Sequence, residues 1–457
     1  LYFVLRAGGN SLDAIVALAG IFILLMFSIY IGINIFYPFL IGLIIFAIIA
    51  YKRGYKPKEL LSMALKGTRR SLPVINILVM IGAITAAWRA SGTVAYIVYY
   101  GIKLIDPHFF ILYAFVLCCI VSFLMGTSFG TIGTIGTILI VMVKGGDLNI
   151  NIVAGAIIAG AYFGDRCSAM SSSANLVSTI TDTDLYTNIK NMFKTSAVPF
   201  FISIIIYGTL SFQHPLRLGE SRIITEIAQT FNLNWVVVLP ALIILVLAVL
   251  KVDVKVSMPA SILCGAAIAV LVQNESIYDV LRYIIIGYSR PEQSFLGDIM
   301  AGGGIASMLN VILILLVSFA LSGVLEGASL LKSAEGLIIK LGGKIGIFAA
   351  VILTSIITGA FGGSQMFAVI LTYQMARSMY DSAGMGKYEL ALDLENSAIV
   401  IPALIPWNIA GAVPAAALTA DSSYVLYSFY LYLIPLVNLM AGLMMKNLRS
   451  HNRHKMA

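Results

Sequence analysis

The chain has 457 residues, 60% of them hydrophobic and 11% charged, with a mean hydropathy of +0.97. Soluble domains carry roughly 25% charged residues, so this chain cannot cover a water-facing surface. Its net charge of +8 does not point to nucleic acid, because the basic residues mostly flank apolar spans in the positive-inside pattern.

In chain order, apolar segments at about 13–33 and 35–51 come first and are long enough to span a bilayer. The opening "LYF" resembles a protease-site remnant and carries no argument. A basic loop over 52–70 follows, with Lys52, Arg53, Lys56, Lys58, Lys66, Arg69 and Arg70 against Glu59. This loop and the basic tail 447–457 are expected on the cytoplasmic side of a cell membrane. Residues 71–213 form a first complex block, 214–299 a connector with spans near 234–250 and 257–273, and 300–446 a second complex block. A β-barrel is excluded, since "ALIILVLAVL" at 241–250 does not alternate. The expected fold is all-α, a polytopic integral membrane protein.

The two blocks share an order of features. "AAWRASGTVAYIVYYGIKLI" (86–105) lies beside "SFALSGVLEGASLLKSAEGLI" (318–338), matching Ser91-Gly92 with Ser322-Gly323 as breaks. "LMGTSFGTIGTIGTILIVM" (124–142) lies beside "ITGAFGGSQMFAVILTYQM" (357–375). "GDRCSAMSSSANL" (164–176) finds its counterpart in "LDLENSAIVIPALIPWNIAGA" (392–412). Interrupted hydrophobic segments at corresponding places in two halves point to a transporter's central site. Irregular backbone at membrane depth survives only inside protein or beside a water-filled cavity. Each run taken alone reads equally well as a close helix-packing face.

Glycines in 126–137 permit unwinding, and Thr127, Ser128 and Thr131 offer hydroxyls there. Oxygen ligands suit a desolvated Na+, for which Thr127, Ser128 and Asn175 are candidates. Ionisable residues inside membrane segments are functional hypotheses by default. Asp165 beside Arg166, and Glu395 beside Asn396 and Ser397, stand out as proton- or Na+-responsive groups. Arg89 either snorkels to an interface or faces the cavity and pairs with Glu395, Asp165 or a substrate carboxylate. Ser91, Ser171, Ser172 and Ser173 add neutral oxygens to the expected cavity. Pro402 and Pro406 break a helix beside Trp407 and Asn408, placing both at the same cavity. Cys118, Cys119, Cys167 and Cys264 lack metal-site spacing and read as core residues. No nucleotide loop, HExxH or CxxC is present, so the reading is a transporter without a cofactor, not an enzyme.

At these residues the sequence resembles the NhaC-type Na+/H+ antiporter family of the ion transporter superfamily. The resemblance runs from about Ser71 onward and is strongest at "ASGTVAYIVYYGIKLI", "GTSFGTIGTIG", "AGAIIAGAYFGDR" through "NL", and "LIPWN". It implies two inverted-topology repeats, with broken transmembrane helices or re-entrant hairpins meeting near the membrane centre. It also implies alternating-access transport coupled to Na+ or H+. Asp165, Glu395, Trp407 and Asn408 match the family's pattern, whereas Ser172 and Asn396 stand where the family carries acids. Those two losses and Arg89 leave room for an organic solute. The alternative is a Na+- or H+-coupled carrier of a small carboxylate or amino acid without net Na+/H+ exchange. A membrane-embedded protein without transport would lack a cavity joining the breaks. Expected partners are the lipid bilayer and a small ion, carboxylate or amino acid, with a homodimer among the allowed assemblies and no nucleic acid.

Overall fold

A computed structural model describes residues 11–217, 220–289, 295–330 and 345–456. Leu1–Phe3, and the part of 318–338 beyond Leu330, lie outside the described residues. Among the described residues the chain is helical, with one isolated bridge between Tyr288 and Gly302. Six helices there are long and apolar enough to cross a membrane, or seven if the bent pair Ile224–Thr230 and Trp235–Val249 is one span. Their outward faces carry large exposed apolar side chains such as Ile23, Phe201 and Leu263, as lipid contact requires.

Small residues decide which helices touch. Helix Ile150–Cys167 lies against helix Phe110–Met125 through Gly160 and Gly164. A Cβ on Gly164 would fall 2.1 Å from the Ser122 carbonyl carbon, so only glycine admits this approach. The basic stretch expected as a loop contains helix Pro57–Arg69, capped by Glu59, whose carboxylate accepts from the Lys56 amide. Gly67 of that helix abuts Gly323 of helix Leu309–Gly327. This contact corrects a sequence expectation: Ser322-Gly323 is not a break, and Leu309–Gly327 runs through it unbroken. Its glycine serves close packing. Ser91-Gly92 does break the chain, since Gly92 takes a φ of 78° between helices Leu72–Ala90 and Thr93–Leu104.

Two helical hairpins dominate the interior. The first is Phe110–Met125, a turn at Gly126-Thr127, then a run from Ser128 to Lys144 that passes through a π-helical turn at Ile132–Gly136. The second is Ile347–Phe361, a turn at Gly362–Ser364, then Gln365–Ala383. Helix Leu185–Gln213 relates their open ends. The Asp184 amide, just before its start, donates to Tyr388 Oη beyond the second hairpin. Beyond its other end, the Leu216 amide donates to Pro107 O at the mouth of the first. The hairpins therefore enter from opposite ends of the molecule and meet at their tips.

Two further interrupted segments pass beside those tips. Helix Ile150–Cys167 stops, and helix Ser172–Ile180 resumes after Ser171, whose hydroxyl accepts from the Ala174 amide. Helix Lys387–Glu395 stops, and Ile409–Ala417 resumes after Asn408, whose side chain accepts from the Ala410 amide. Asn151 and Asp421 join the far ends of these segments through their side chains at 3.1 Å.

Candidate functional site

The hairpin tips border a cavity of about 760 Å³. Its wall includes Thr127 and Ser128 from the first tip, Ser364 and Gln365 from the second, and Asp165 and Ser172 from the interrupted segment. The tips have the same local build. Gly126 and Gly363 take φ of 66° and 71°, a conformation that favours glycine. Thr127 and Ser364 follow in extended conformation, and their hydroxyls accept from the amides of Gly130 and Phe367. Each tip thus presents the start of a helix to the cavity, where unpaired amides favour an anionic or polar group.

The acids differ in access. Asp165 is on the cavity wall, and its Oδ2 accepts from Gln365 Nε2 at 3.0 Å. The same Gln365 nitrogen donates to Ile399 O at 2.8 Å, so it ties the first interrupted segment to the second. Glu395 is fully buried, and both its carboxylate oxygens lack a hydrogen-bond partner. It stands within electrostatic reach of Arg166 and Asp165. Arg166 is also fully buried and pairs with neither acid through its fork. Its Nε donates to Glu395 O at 3.1 Å and its Nη2 to Thr195 Oγ1 at 2.9 Å, with further bonds to Ser196 Oγ and Asn396 Oδ1.

Charged side chains ring the cavity's mouth. Arg70 pairs with Glu326, both about half exposed, and Lys251, Asp253 and Lys255 lie beside them. The Arg70 guanidinium carbon is also 5.8 Å from the centre of the Phe367 ring, behind the second tip.

The model of the Na+/H+ antiporter family matches residues 10–168 and 160–445. The chain belongs to the Na+/H+ antiporter family. It is 28% identical to a protein named Na(+)/H(+) antiporter NhaC of Alkalihalophilus pseudofirmus, over 89% of each chain. It is 27% identical to a Malate-2H(+)/Na(+)-lactate antiporter of Bacillus subtilis, again over 89% of each. An Arginine/ornithine antiporter ArcD of Halobacterium salinarum is 26% identical over 94% of this chain and 91% of its own. The protein is an ion-coupled secondary transporter with multiple membrane spans, and its family is one of transporters that use coupling ions.

In this antiporter-family chain the structure separates the expected site residues. Thr127, Ser128, Asp165 and Ser172 line the cavity. Ser171, Ser173, Glu395, Asn396 and Ser397 lie behind its wall: the hydroxyls of Ser171 and Ser173 donate to Asp165 O, and Ser397 Oγ donates to Asp393 O. Thr131 Oγ1 turns back to Thr127 O at 2.9 Å, and Asn175 Nδ2 to Ala169 O and Ser171 O. Trp407 Nε1 and Asn408 Nδ2 donate to Ala360 O and Gly359 O, saturating the end of helix Ile347–Phe361. They support the second tip from behind. Arg89 and Ser91 are remote from the cavity, and Arg89 makes no ion pair with Glu395 or Asp165.

Sequence reasoning overlooked Ser364 and Gln365; Glu326 stands out in the sequence as an ionisable residue, but its pairing with Arg70 does not. The signal for the first two was present. The tips match Gly126-Thr127-Ser128 with Gly363-Ser364-Gln365, four residues from the register that pairs 124–142 with 357–375. The glycine before the helix cap, not the nearest run of small residues, sets the true correspondence.

Proposed function

We propose that this protein is an alternating-access antiporter that exchanges Na+ or H+ across the cell membrane and carries a small organic carboxylate or amino acid through the same cavity. The observation that carries this reading is the pairing of two acids with different access: Asp165 on the wall of an open cavity and Glu395 sealed behind it with no partner. An unpaired buried carboxylate is costly, so Glu395 holds a proton or a cation when the wall is closed. Asp165 exchanges its ion with the cavity. Arg166 fixes the backbone around Glu395 and keeps its carboxylate oriented. Thr127 and Ser128 supply oxygens for Na+ beside Asp165.

A cavity of about 760 Å³ is far larger than a bare cation needs, which supports an organic solute. The names of the malate–lactate and arginine–ornithine relatives support the same class. Hairpins that enter from opposite ends and present matching Gly-cap tips support two inverted-topology repeats, spanning about 71–213 and 300–446. The basic helix Pro57–Arg69 and the mouth cations Arg70, Lys251 and Lys255 support a cytoplasmic opening.

Purified protein in proteoliposomes tests the reading. A Na+ pulse should move protons, and a small carboxylate or amino acid should accelerate that flux. Proton movement that stays at the level of empty liposomes, with and without every such solute, would sink ion-coupled antiport.

A further inference from the structure

We propose that Arg89, with Lys144 as a second cation, forms an oxyanion-binding site separate from the transport cavity. The inference goes beyond the antiport reading and does not depend on it. Ile77 is the last residue of helix Leu72–Ala90 on the cavity wall, and Arg89 lies about 18 Å further along at an α-helix's rise of about 1.5 Å per residue.

Arg89 is 6% exposed, and its Nε is buried without a partner. Among the described residues its guanidinium has no hydrogen bond and no ion pair. Glycine backbone covers one side of it instead. A Cβ on Gly303 would fall 2.8 Å from Nη1, and one on Gly302 would fall 3.7 Å away. Both glycines have positive φ, 73° and 120°, so this segment approaches the guanidinium in a form that offers no side-chain acceptor. Lys144, half-buried at the end of the first hairpin, is near enough for the two positive charges to repel each other.

A guanidinium does not shed its proton to escape burial. Two neighbouring cations, one nine-tenths buried and unpartnered among the described residues, favour a negative charge beside them. The fork favours an oxyanion, because a carboxylate or phosphate accepts two parallel bonds where chloride cannot. Such a group can come from a dissolved carboxylate or phosphate, or from the phosphate of a net anionic lipid headgroup. The shared chemistry is the same.

The test is thermal unfolding of the purified, delipidated protein at constant ionic strength in chloride, titrated with inorganic phosphate and with acetate. A parallel arm compares nanodiscs of phosphatidylglycerol and phosphatidylcholine. Oxyanion or phosphatidylglycerol should raise the wild-type midpoint. Arg89→Gln should weaken the apparent affinity about tenfold or more, the scale of a lost charge-assisted pair. Lys144→Gln should weaken it less, and Arg70→Gln at the cavity mouth should leave it unchanged. A response to free anions identifies a dissolved ligand, and a response to phosphatidylglycerol alone identifies a lipid; both support the site. No wild-type shift with either free anion or with phosphatidylglycerol, an equal shift in Arg89→Gln, or a shift lost in Arg70→Gln overturns it. Should Arg89→Gln fail to fold, Arg89→Lys keeps the charge, loses the fork, and must show the same weakening.

Discussion

Replacing Glu395 by Gln removes a charge from a place where the protein offers it no donor. Both carboxylate oxygens are buried and unpartnered, so the change breaks no hydrogen bond. The amide resembles the protonated acid in shape and adds one unsatisfied donor, a penalty of about 1–3 kcal/mol. Against this stands the several kcal/mol that a bare buried carboxylate costs, which a coupling ion relieves on the proposed reading. E395Q should therefore fold and insert, with a modest change in unfolding midpoint, yet bind no coupling ion at this position. A binding loss of about 3 kcal/mol is a factor of more than about a hundred, so Na+-driven proton flux should fall by at least that factor. The assay is quenching of a pH-sensitive dye in proteoliposomes after a Na+ pulse, with detergent-solubilised thermal unfolding as the fold control. Wild-type flux in well-folded E395Q would refute a coupling role for this carboxylate.

Asp165→Asn should abolish coupled flux in the same liposomes while Gln365 retains its bond to Ile399 O; retained coupling would remove Asp165 from the ion path. Asn396→Asp adds a negative charge beside Arg166, Glu395 and Asp165, and should tighten apparent Na+ affinity by about fivefold or more, from about 1 kcal/mol of attraction; an unchanged half-saturation for Na+ would contradict it. Trp407→Phe orphans the buried Ala360 carbonyl and should destabilise the protein by about 1–3 kcal/mol, read as a lower unfolding midpoint. Gly164→Ala places a methyl 2.1 Å from the Ser122 carbonyl carbon and should cost about 1–3 kcal/mol or more. Gly20→Ala, with nothing within 4 Å, is the matched control and should leave the midpoint unchanged or raised.

The segments that announce themselves in the sequence do so through composition. A bilayer leaves irregular polar backbone few places to go, so "GTSFG", "GDRCSAMSSSANL" and "LIPWN" mark true interruptions, and Asp165 and Ser172 reach the cavity from the second of these. Polarity does not reveal direction. Trp407 and Asn408 are polar and lie beside a break, yet both turn away from the cavity to saturate Ala360 O and Gly359 O. Those carbonyls belong to a helix distant in sequence. Ser322-Gly323 has the composition of Ser91-Gly92, but Gly323 meets Gly67 across a helix pair while Gly92 turns the chain. Only the partner element distinguishes the two, and that partner is fixed by tertiary packing. Gln365 has no charge to draw notice; its role follows from bridging Asp165 and Ile399, which the sequence places far apart.

The polar links between the halves are reciprocal, and this bears on coupling. Arg166, from the first interrupted segment, holds the backbone of Glu395 and the side chain of Asn396 in the second. Gln365, from the second hairpin, holds Asp165 in the first. Each acid is thus positioned from the opposite half, so relative movement of the halves must alter both acid environments together. Asn396 matters because an acid there would pair directly with the guanidinium and consume its charge. The amide accepts Arg166's hydrogen bond without cancelling it, and leaves that positive charge to act on Glu395 across the gap. The cluster of Asp165, Arg166 and Glu395 then needs one further positive charge for neutrality. On the antiport reading proposed above, a single proton or Na+ supplies it, and a motion that separates Gln365 from Asp165 would release it.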